Sequence, residues 1–173
     1  MRTVRQQNDN NEAQSQNRSA SARSDKRRVL LAASHGGHWV QLRRIAVGLT
    51  DIEPEYLTTT SEIAAEVGDT PVWTVPDANL DRKLALLGLA WRVFWVVLRR
   101  RPEVVISTGA APGFFAIAFG KLFGARTVWV DSLANAERLS VSGAKVRRFA
   151  DLWLTQWPEL ERPDGPCYLG RVL

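Results

Sequence analysis

The chain has 173 residues, a formal net charge of +5 and a sequence pI near 10.0. The length suits one domain with a substantial core. The single cysteine, Cys167, excludes an internal disulfide and a thiolate metal cluster, as expected for a reducing, cytosolic compartment.

The basic residues lie beside apolar and aromatic runs rather than in one long block, which favours an anionic membrane surface or a phosphorylated ligand over nucleic acid. Residues 1–26 are rich in Asn, Gln, Ser and Arg and contain no apolar signal-peptide core. They cannot bury enough apolar surface to offset the entropy of ordering, so we predict a disordered polar tail. An electrostatic tether to anionic lipid is the functional alternative for this tail. We predict one folded domain over residues 27–173.

The first element is a short apolar strand that ends at Ser34, followed by two adjacent glycines, Gly36 and Gly37, and then by helical periodicity from His38 onward. Further runs alternate between strand and helix patterns: a strand over 55–60, a short helix over 61–66 and a strand over 71–75. This βαβαβ alternation predicts an α/β fold, a Rossmann-like parallel sheet with helices on both faces.

Residues 80–101 form the second unusual stretch, a helix that is apolar around most of its circumference and ends in three arginines. A spanning helix needs roughly 20 apolar residues without a central charge, and Arg92 interrupts this run. We therefore expect a helix lying in or oblique to a membrane surface. The alternative is a core helix between the sheet and a partner subunit. The residues expected to contact the membrane are Trp91, Phe94, Trp95, Arg99, Arg100 and Arg101.

A second glycine-containing turn, Thr108 to Gly113, follows a strand over 103–107 and opens another apolar helix from Phe114. A strand over 126–130 then ends at Asp131, and a polar loop leads to a short basic helix containing Lys145. A final strand is predicted over 151–155, with no second α/β unit after it.

His38 and Asp131 are the candidate catalytic residues. A histidine at the start of a helix, beside N–H donors that could hold a diphosphate, is well placed to act as a general base towards a sugar hydroxyl. Asp131 at a strand's carboxyl end could orient an acceptor or act as a base. The alternatives are a hydrogen-bonding role for His38, a capping role for Asp131, and glycines needed only for tight turns.

Two other ligand classes fit the sequence less well. A dinucleotide site needs G-x-G-x-x-G, whereas Gly36 and Gly37 are adjacent. Neither turn is followed by a Walker lysine, so a nucleotide hydrolase is not expected. No metal site is predicted, because no third ligand lies near the two histidines in sequence.

Several short motifs, taken together and in order, resemble one known family. The chain is similar to the asparagine-linked glycosylation protein fourteen-like family, the membrane-associated subunit of a two-component UDP-N-acetylglucosamine transferase, and to its bacterial exopolysaccharide counterparts. The resemblance runs from about Arg27 to the C-terminus and rests on residues 34–38, 105–109, 131–132 with 138–143, 150–152, 156–160 and 168–171.

The resemblance implies that this chain corresponds to the N-terminal, acceptor-binding half of a GT-B glycosyltransferase. A separate small subunit would supply the UDP-sugar, so no cofactor is expected on this chain, and this chain would be active only with that partner. The acceptor would be a polyprenyl-diphosphate-linked sugar at the cytoplasmic face of the inner membrane, where the chain would be peripheral or monotopic. Its diphosphate would lie on the two turns, at Ser34, Gly36, Gly37, Thr108, Gly109 and Gly113. The C-terminal segment would contact the partner through Trp157, Tyr168 and Leu169.

Two departures from the family pattern bear on these expectations. Eukaryotic members usually begin with a hydrophobic anchor, whereas this sequence begins with the polar tail. The family's acidic residue after the fifth strand is commonly Glu, and here it is Asp131. A non-catalytic recruiter that anchors and activates a partner glycosyltransferase is the competing function, and a solitary ligand-binding domain is a third.

Overall fold

The computed structural model describes residues 26–78 and 83–172. Its centre is a seven-stranded sheet in the order β3-β2-β1-β4-β5-β6-β7, in which every neighbouring pair is parallel. The strands are β1 Arg27–Ala32, β2 Ile52–Thr58, β3 Val72–Thr74, β4 Val104–Ser107, β5 Arg126–Val130, β6 Leu152–Thr155 and β7 Cys167–Tyr168. The helices are α1 Gly37–Val47, α2 Ala64–Val67, α3 Lys83–Arg100, α4 Ala110–Leu122 and α5 Val141–Val146, with a 3₁₀ turn at Pro158–Leu160.

Helices cover both faces of the sheet, as the sequence predicts. On one face α1 and α2 pack through Trp39, Leu42 and Ile63 against alternate residues of β1, such as Leu31. On the other face α3, α4 and α5 pack against Leu30 and its neighbours. Because side chains alternate along a strand, both faces of a doubly covered sheet must be apolar, which is why the central strands read as continuous apolar runs.

Two boundaries differ from the sequence prediction. The helix expected from Phe114 begins four residues earlier, at Ala110, because Pro112 lies in its first turn, where proline's missing N–H costs nothing. The sheet also has a seventh strand, β7, which the sequence analysis did not predict. The predicted disordered tail lies outside the described residues except for Lys26, as do the first three residues predicted for α3.

The strand order places a crevice at a defined point of the sheet. Chain order runs outward in one direction from β1 to β3 and in the other from β4 to β7, so the direction of winding reverses between β1 and β4. Ala32 of β1 pairs with Ser107 of β4 at the carboxyl ends of these two strands. Open parallel sheets bind ligands at this switch point, and both glycine turns begin there.

Among the described residues, no helix is both long and apolar enough to cross a membrane.

Candidate active site between the β1 and β4 turns

The turn after β1 depends on Gly36. Its φ of 88° and ψ of −139° lie in a region that is open only to glycine, and it leads directly into α1. The preceding residue, His35, donates its backbone N–H to Thr59 Oγ1 at 3.1 Å, which ties the turn to the end of β2. His35 itself is exposed. The turn is therefore held by backbone geometry and one neighbouring hydroxyl.

The turn after β4 also has an unusual backbone conformation. Gly109 has φ 140° and ψ −173°, and the next residue, Ala110, has φ 63° despite its Cβ. Ser107 Oγ accepts a hydrogen bond from the Gly109 N–H at 3.1 Å. Backbone strain of this kind is often found at functional sites, where the surrounding structure maintains it.

Both helices that start at these turns lack the usual N-terminal partners. Neither α1 nor α4, both lying wholly within the described residues, has a side-chain cap or an acidic residue in its first turn. By contrast, Ser140 caps α5 by accepting a hydrogen bond from the Gly143 N–H at 2.8 Å. The first N–H groups of α1 and α4 and the positive ends of their dipoles are thus available to an anion at the crevice.

His38 joins the two turns. Its Nδ1 lies 2.9 Å from the carbonyl oxygen of Thr108, and Thr108 Oγ1 donates to the carbonyl oxygen of His38 at 2.7 Å. A carbonyl oxygen only accepts, so we assign the proton of the neutral ring to Nδ1. Nε2 then carries the lone pair and is the nitrogen that can accept a proton.

Gly109 makes this arrangement possible, because a Cβ at that position would overlap the imidazole ring of His38. Gly113 has a different role from the one predicted for it. It is buried, and Ser107 Oγ occupies the space that a Cβ would need, so Gly113 allows α4 to approach β4 rather than facing a ligand. Ser34 is half-buried at the end of β1, and its hydroxyl lies 3.5 Å from the carbonyl oxygen of His35, too far for a firm hydrogen bond.

Asp131 lies at the carboxyl end of β5, as predicted, but its carboxylate is 1% exposed and faces its own loop. Its oxygens accept hydrogen bonds from the Ser140 N–H at 2.9 Å and from Ser140 Oγ at 2.7 Å, with Asn135 Nδ2 at 3.4 Å. These contacts order the loop between β5 and α5. No hydrogen bond joins Asp131 to His38 within the described residues.

A buried amide pair, Gln41 and Gln156, connects α1 to the ends of β5 and β6 and was missed by the sequence analysis. Gln156 Nε2 donates to Gln41 Oε1 at 2.6 Å and to the carbonyl oxygen of Asp131 at 2.8 Å. Gln41 Nε2 donates to the carbonyl oxygen of Gly37 at 3.1 Å and to Ser132 Oγ at 3.2 Å. The available signal was the position of Gln41 beside Leu42 on the apolar side of α1.

The residues predicted to contact a membrane fall into two groups. On α3, Trp91 is 61% exposed and stacks on Phe94, which in turn contacts Phe119 of α4 and Phe123, the residue directly after α4. One aromatic cluster thus links the outer surfaces of the two helices. Large apolar side chains remain exposed along this surface: Leu84, Leu87, Trp91, Leu122 and Phe123. Arg99 and Arg101 are also exposed, and Trp95 is half-buried.

Arg100 is also exposed, with 42% of its side chain accessible, but its guanidinium is paired with a buried carboxylate. Its guanidinium donates to both carboxylate oxygens of Glu55, with Nη2 2.6 Å from Oε1 and Nε 2.8 Å from Oε2. The Glu55 side chain is 9% exposed and also accepts from Trp73 Nε1 at 2.7 Å. The hydrogen bond that Arg100 donates to Glu55 raises the pKa of Arg100, so the charge predicted for lipid contact is engaged in a structural ion pair.

The three residues predicted to contact a partner differ in exposure. Trp157 is held by a hydrogen bond from Nε1 to the carbonyl oxygen of Leu133 at 2.9 Å, and the guanidinium of Arg171 stacks on its ring at 4.2 Å. Tyr168 is half-buried in β7 at the edge of the sheet. Leu169 is 75% exposed.

Within residues 26–78 and 83–172, no group of three or more His, Cys, Asp or Glu side chains could hold a metal ion.

Comparison with protein families identifies a match to a family of oligosaccharide biosynthesis proteins. The model of the family described as "Oligosaccharide biosynthesis protein Alg14 like" matches residues 75–172. This range includes the second turn and Asp131 but begins after the first turn.

Two curated relatives carry the same name, UDP-N-acetylglucosamine transferase subunit ALG14. The chain is 34% identical to the mouse protein over 93 residues, which cover 48% of this chain and 42% of that one. It is 35% identical to the Yarrowia lipolytica protein over 71 residues, covering 38% of this chain and 33% of that one. The chain thus matches less than half the length of these relatives.

Solved structures with the same fold include two proteins of low sequence identity. Acinetobacter baumannii MurG superposes with a TM-score of 0.68 at 13% identity, over 82% of this chain and 45% of that chain. A UDP-N-acetylglucosamine 2-epimerase superposes with a TM-score of 0.61 at 10% identity, over 82% of this chain and 47% of that one. The predicted fold class is confirmed: a Rossmann-like domain that corresponds to about half of a GT-B chain.

Proposed function

Because the chain belongs to the Alg14-like family of oligosaccharide biosynthesis proteins, we propose that it is the acceptor-binding subunit of a two-component glycosyltransferase. In this proposal it binds a polyprenyl-diphosphate-linked sugar at the cytoplasmic face of the inner membrane. A separate small subunit holds a UDP-sugar, UDP-N-acetylglucosamine or a related donor. The names of the curated relatives support the role of a transferase subunit. The acceptor, the donor-binding partner and the membrane face are our proposals.

The observation that carries the proposal is the pair of uncapped helix N-termini at the β1/β4 switch point, with His38 between them. A diphosphate has negative charge on both phosphates, and each helix end stabilises a nearby negative charge by about 0.3–1 kcal/mol, more when partly buried. Gly36, with nothing near the position of a Cβ, lets the backbone approach the phosphates closely, and Gly109 leaves room for the His38 ring beside them. The Thr108 and Gly37 backbone and Ser34 complete the proposed diphosphate site.

We assign the general base to His38 Nε2. As the acceptor hydroxyl oxygen forms a bond to C1 of the donor sugar, its proton passes to Nε2, and the bond between C1 and the UDP oxygen breaks. UDP leaves with the electron pair of that bond. The hydrogen bond between Nδ1 and the Thr108 carbonyl keeps the ring in the required tautomer and stabilises the imidazolium that forms.

Asp131 is proposed to act indirectly. Its carboxylate is already bonded to Ser140, so a role in shaping the loop over the acceptor fits its contacts better than proton transfer. The donor-binding partner is proposed to dock against the C-terminal segment, where Leu169 is exposed beside the edge strand β7. Trp157 and Tyr168 would support that surface.

The membrane surface is proposed to be the outer side of α3 and α4. Five large apolar side chains are exposed there, next to the cations Arg99 and Arg101. Exposed apolar surface of this kind inserts into the headgroup region of a bilayer without crossing it, and nearby cations add attraction to anionic lipid. The lipid tail of the acceptor would then lie on the side of the protein that faces the membrane.

The test uses the full chain with its donor-binding partner, which is to be sought first in the neighbouring reading frame. Transfer from labelled UDP-N-acetylglucosamine to a polyprenyl-diphosphate sugar is measured in vesicles. We expect no transfer by either subunit alone and transfer by the pair. His38→Asn should lower kcat at least about 100-fold, because asparagine retains a donor to the Thr108 carbonyl but has no base.

Full activity of the chain without a partner would contradict the two-component proposal. A His38→Asn pair that assembles normally and turns over at the original rate would favour the competing function, a recruiter that contributes no catalytic group.

A further inference from the structure

A groove of about 560 Å³ lies between the edge strand β3 and the flank of α3. Its walls combine three indole rings with three guanidinium groups: Trp73, Trp91, Trp95, Arg92, Arg99 and Arg100. This volume lies within the usual range for small-molecule sites, about 300–1,000 Å³. It is separate from the crevice at the carboxyl ends of β1 and β4, and none of the functions above uses it as a pocket.

One side of the groove is fixed by the ion pair between Arg100 and Glu55. Arg100 lies over the Trp73 ring at 5.3 Å while its guanidinium binds Glu55, and Trp73 Nε1 donates to the same carboxylate. The charge of Arg100 is thereby matched by Glu55. These contacts preorganise the wall formed by Trp73.

The other two cations of the groove, Arg92 and Arg99, have no such partner in the described part of the chain. No carboxylate within the described residues lies in salt-bridge distance of Arg92 or Arg99, and both side chains are exposed. Arg99 is oriented by stacking at 5.1 Å over Trp95, which packs edge-on against Trp91 at 5.5 Å. Glu53 also lies close enough for its charge to act on Arg100, so three arginines against Glu55 and Glu53 leave a net charge of +1, and the groove is complementary to an anion.

The apolar surroundings indicate which kind of anion fits. Trp91, 61% exposed, belongs both to the groove and to the exposed apolar surface of α3, on which Leu87 lies one turn earlier. A ligand seated here would place its anionic part beside the guanidinium groups and its apolar part along that surface. Indole rings are favoured at the boundary between lipid headgroups and acyl chains for the same reason.

We infer that this groove is a binding site for the headgroup of an anionic phospholipid, with Arg92 and Arg99 binding the phosphate and Trp91 and Trp95 packing on the glycerol and upper acyl chain. The inference rests on the proposed membrane association and makes it specific. The apolar side chains would supply contact with any bilayer, and the groove would supply the preference for anionic lipid. Arg100 would position Trp73 and would not itself bind lipid.

The test measures cosedimentation of the full chain with vesicles of phosphatidylcholine alone and of phosphatidylcholine mixed with phosphatidylglycerol. Each arginine near an anionic surface contributes about 1 kcal/mol of attraction. The double variant Arg92→Gln/Arg99→Gln should therefore bind the mixed vesicles about 30-fold more weakly. Its binding to phosphatidylcholine alone should not change.

A matched control removes the same amount of charge elsewhere. Arg27 and Arg126 are exposed at the starts of β1 and β5, away from the groove. Arg27→Gln/Arg126→Gln should retain most of the affinity for the mixed vesicles. If this control loses as much affinity as the groove variant, the preference comes from net charge and the groove assignment is wrong.

A second measurement separates a lipid headgroup from free phosphate. Short-chain phosphatidylglycerol, kept below its micelle concentration, should change the tryptophan fluorescence saturably, and the Arg92→Gln/Arg99→Gln variant should lose this response. Inorganic phosphate at the same concentration should have no effect. Saturation by inorganic phosphate at equal concentration would overturn the lipid assignment.

A separate variant distinguishes failure of the groove from failure of the wider proposal. Leu84→Gln/Leu87→Gln removes exposed apolar surface outside the groove and should weaken binding to both vesicle types. If the unmodified chain binds neither vesicle type, the proposed membrane association fails. If it binds both equally well, only the groove inference fails.

Discussion

Replacing Gly109 by alanine tests how the two turns are held together. Gly109 has φ 140° and ψ −173°, a conformation that is essentially restricted to glycine and costs other residues of order 1–3 kcal/mol. The new methyl group would also overlap the imidazole ring of His38. The ring must therefore rotate away from Thr108, or the turn must move.

Rotation of the ring breaks the hydrogen bond between His38 Nδ1 and the Thr108 carbonyl, which is worth about 0.5–1.5 kcal/mol. Together with the backbone strain this gives an expected loss of about 2–4 kcal/mol in the free energy of unfolding. Urea denaturation measures the loss. The ¹⁵N shifts of the imidazole ring report the tautomer directly, because the chain has only two histidines, His35 and His38. The signal of protonated Nδ1 should weaken in the variant.

Two other glycines provide controls. Gly124 has φ 86° with no atom near the position of a Cβ, so Gly124→Ala should cost only the backbone strain, about 1–2 kcal/mol. Gly88 is exposed within α3 and equally open, so Gly88→Ala should stabilise the fold by up to about 1 kcal/mol. If Gly109→Ala costs no more than Gly124→Ala and leaves the His38 tautomer unchanged, the contact between the two turns is not what fixes the ring.

Three further substitutions test the packing around the sheet. The hydrogen bond from Lys121 lowers the pKa of Asp151 in the folded protein. The pair therefore stabilises the fold fully above the unfolded-state pKa of about 3.9. This stabilisation is lost as the pH falls through the lower, folded-state pKa. Asp151→Asn should therefore lower the free energy of unfolding at neutral pH, by roughly 0.5–1 kcal/mol for so exposed a pair, and a pH series should show the difference disappearing in acid. Arg100→Ala should cost about 1–3 kcal/mol in thermal unfolding, because it leaves the Glu55 carboxylate buried without its cation, although Arg100 itself is partly exposed; a loss below 1 kcal/mol would contradict this. Gln156→Met should cost about 2–3 kcal/mol in urea unfolding, since it removes the donor shared by two buried acceptors, and a neutral result would show that water replaces the amide.

The fold was largely predictable from the sequence, because doubly covered strands are apolar on both faces and stand out between helical repeats. β7 was not predictable. It has two residues, Cys167 and Tyr168, too few for any period to be recognised, and it forms only because β6 offers an unpaired edge. The start of α4 at Ala110 was obscured by Pro112, which resembles a helix breaker but occupies the first turn.

The candidate site was predictable in position but not in detail. A glycine directly after a strand identifies a tight turn at the carboxyl end of a parallel sheet, and this placed both turns on the same edge. Their direct contact depends on β1 and β4 being neighbours, which pairing in the folded sheet decides and no local pattern records. The predicted role of Asp131 depended on its strand position and on the family resemblance. The contacts with Ser140 that occupy its carboxylate come from a loop whose conformation has no periodic signal.

The amide pair of Gln41 and Gln156 shows how the C-terminal segment is connected to the candidate site. Gln156 Oε1 accepts a hydrogen bond from the Val172 N–H at 2.9 Å, while its Nε2 binds Gln41. Gln41 in turn donates to the carbonyl oxygen of Gly37, in the same turn of α1 as His38. Buried networks of this kind are sensitive to the loss of any one partner, because each unpaired group bears its full desolvation cost.

The segment proposed to dock the donor-binding subunit and the helix that presents the proposed base are therefore parts of one hydrogen-bonded unit. An altered position of Val172 in the complex would reach the first turn of α1 through two side chains. This gives a physical reason why the proposed base would depend on assembly with the proposed partner.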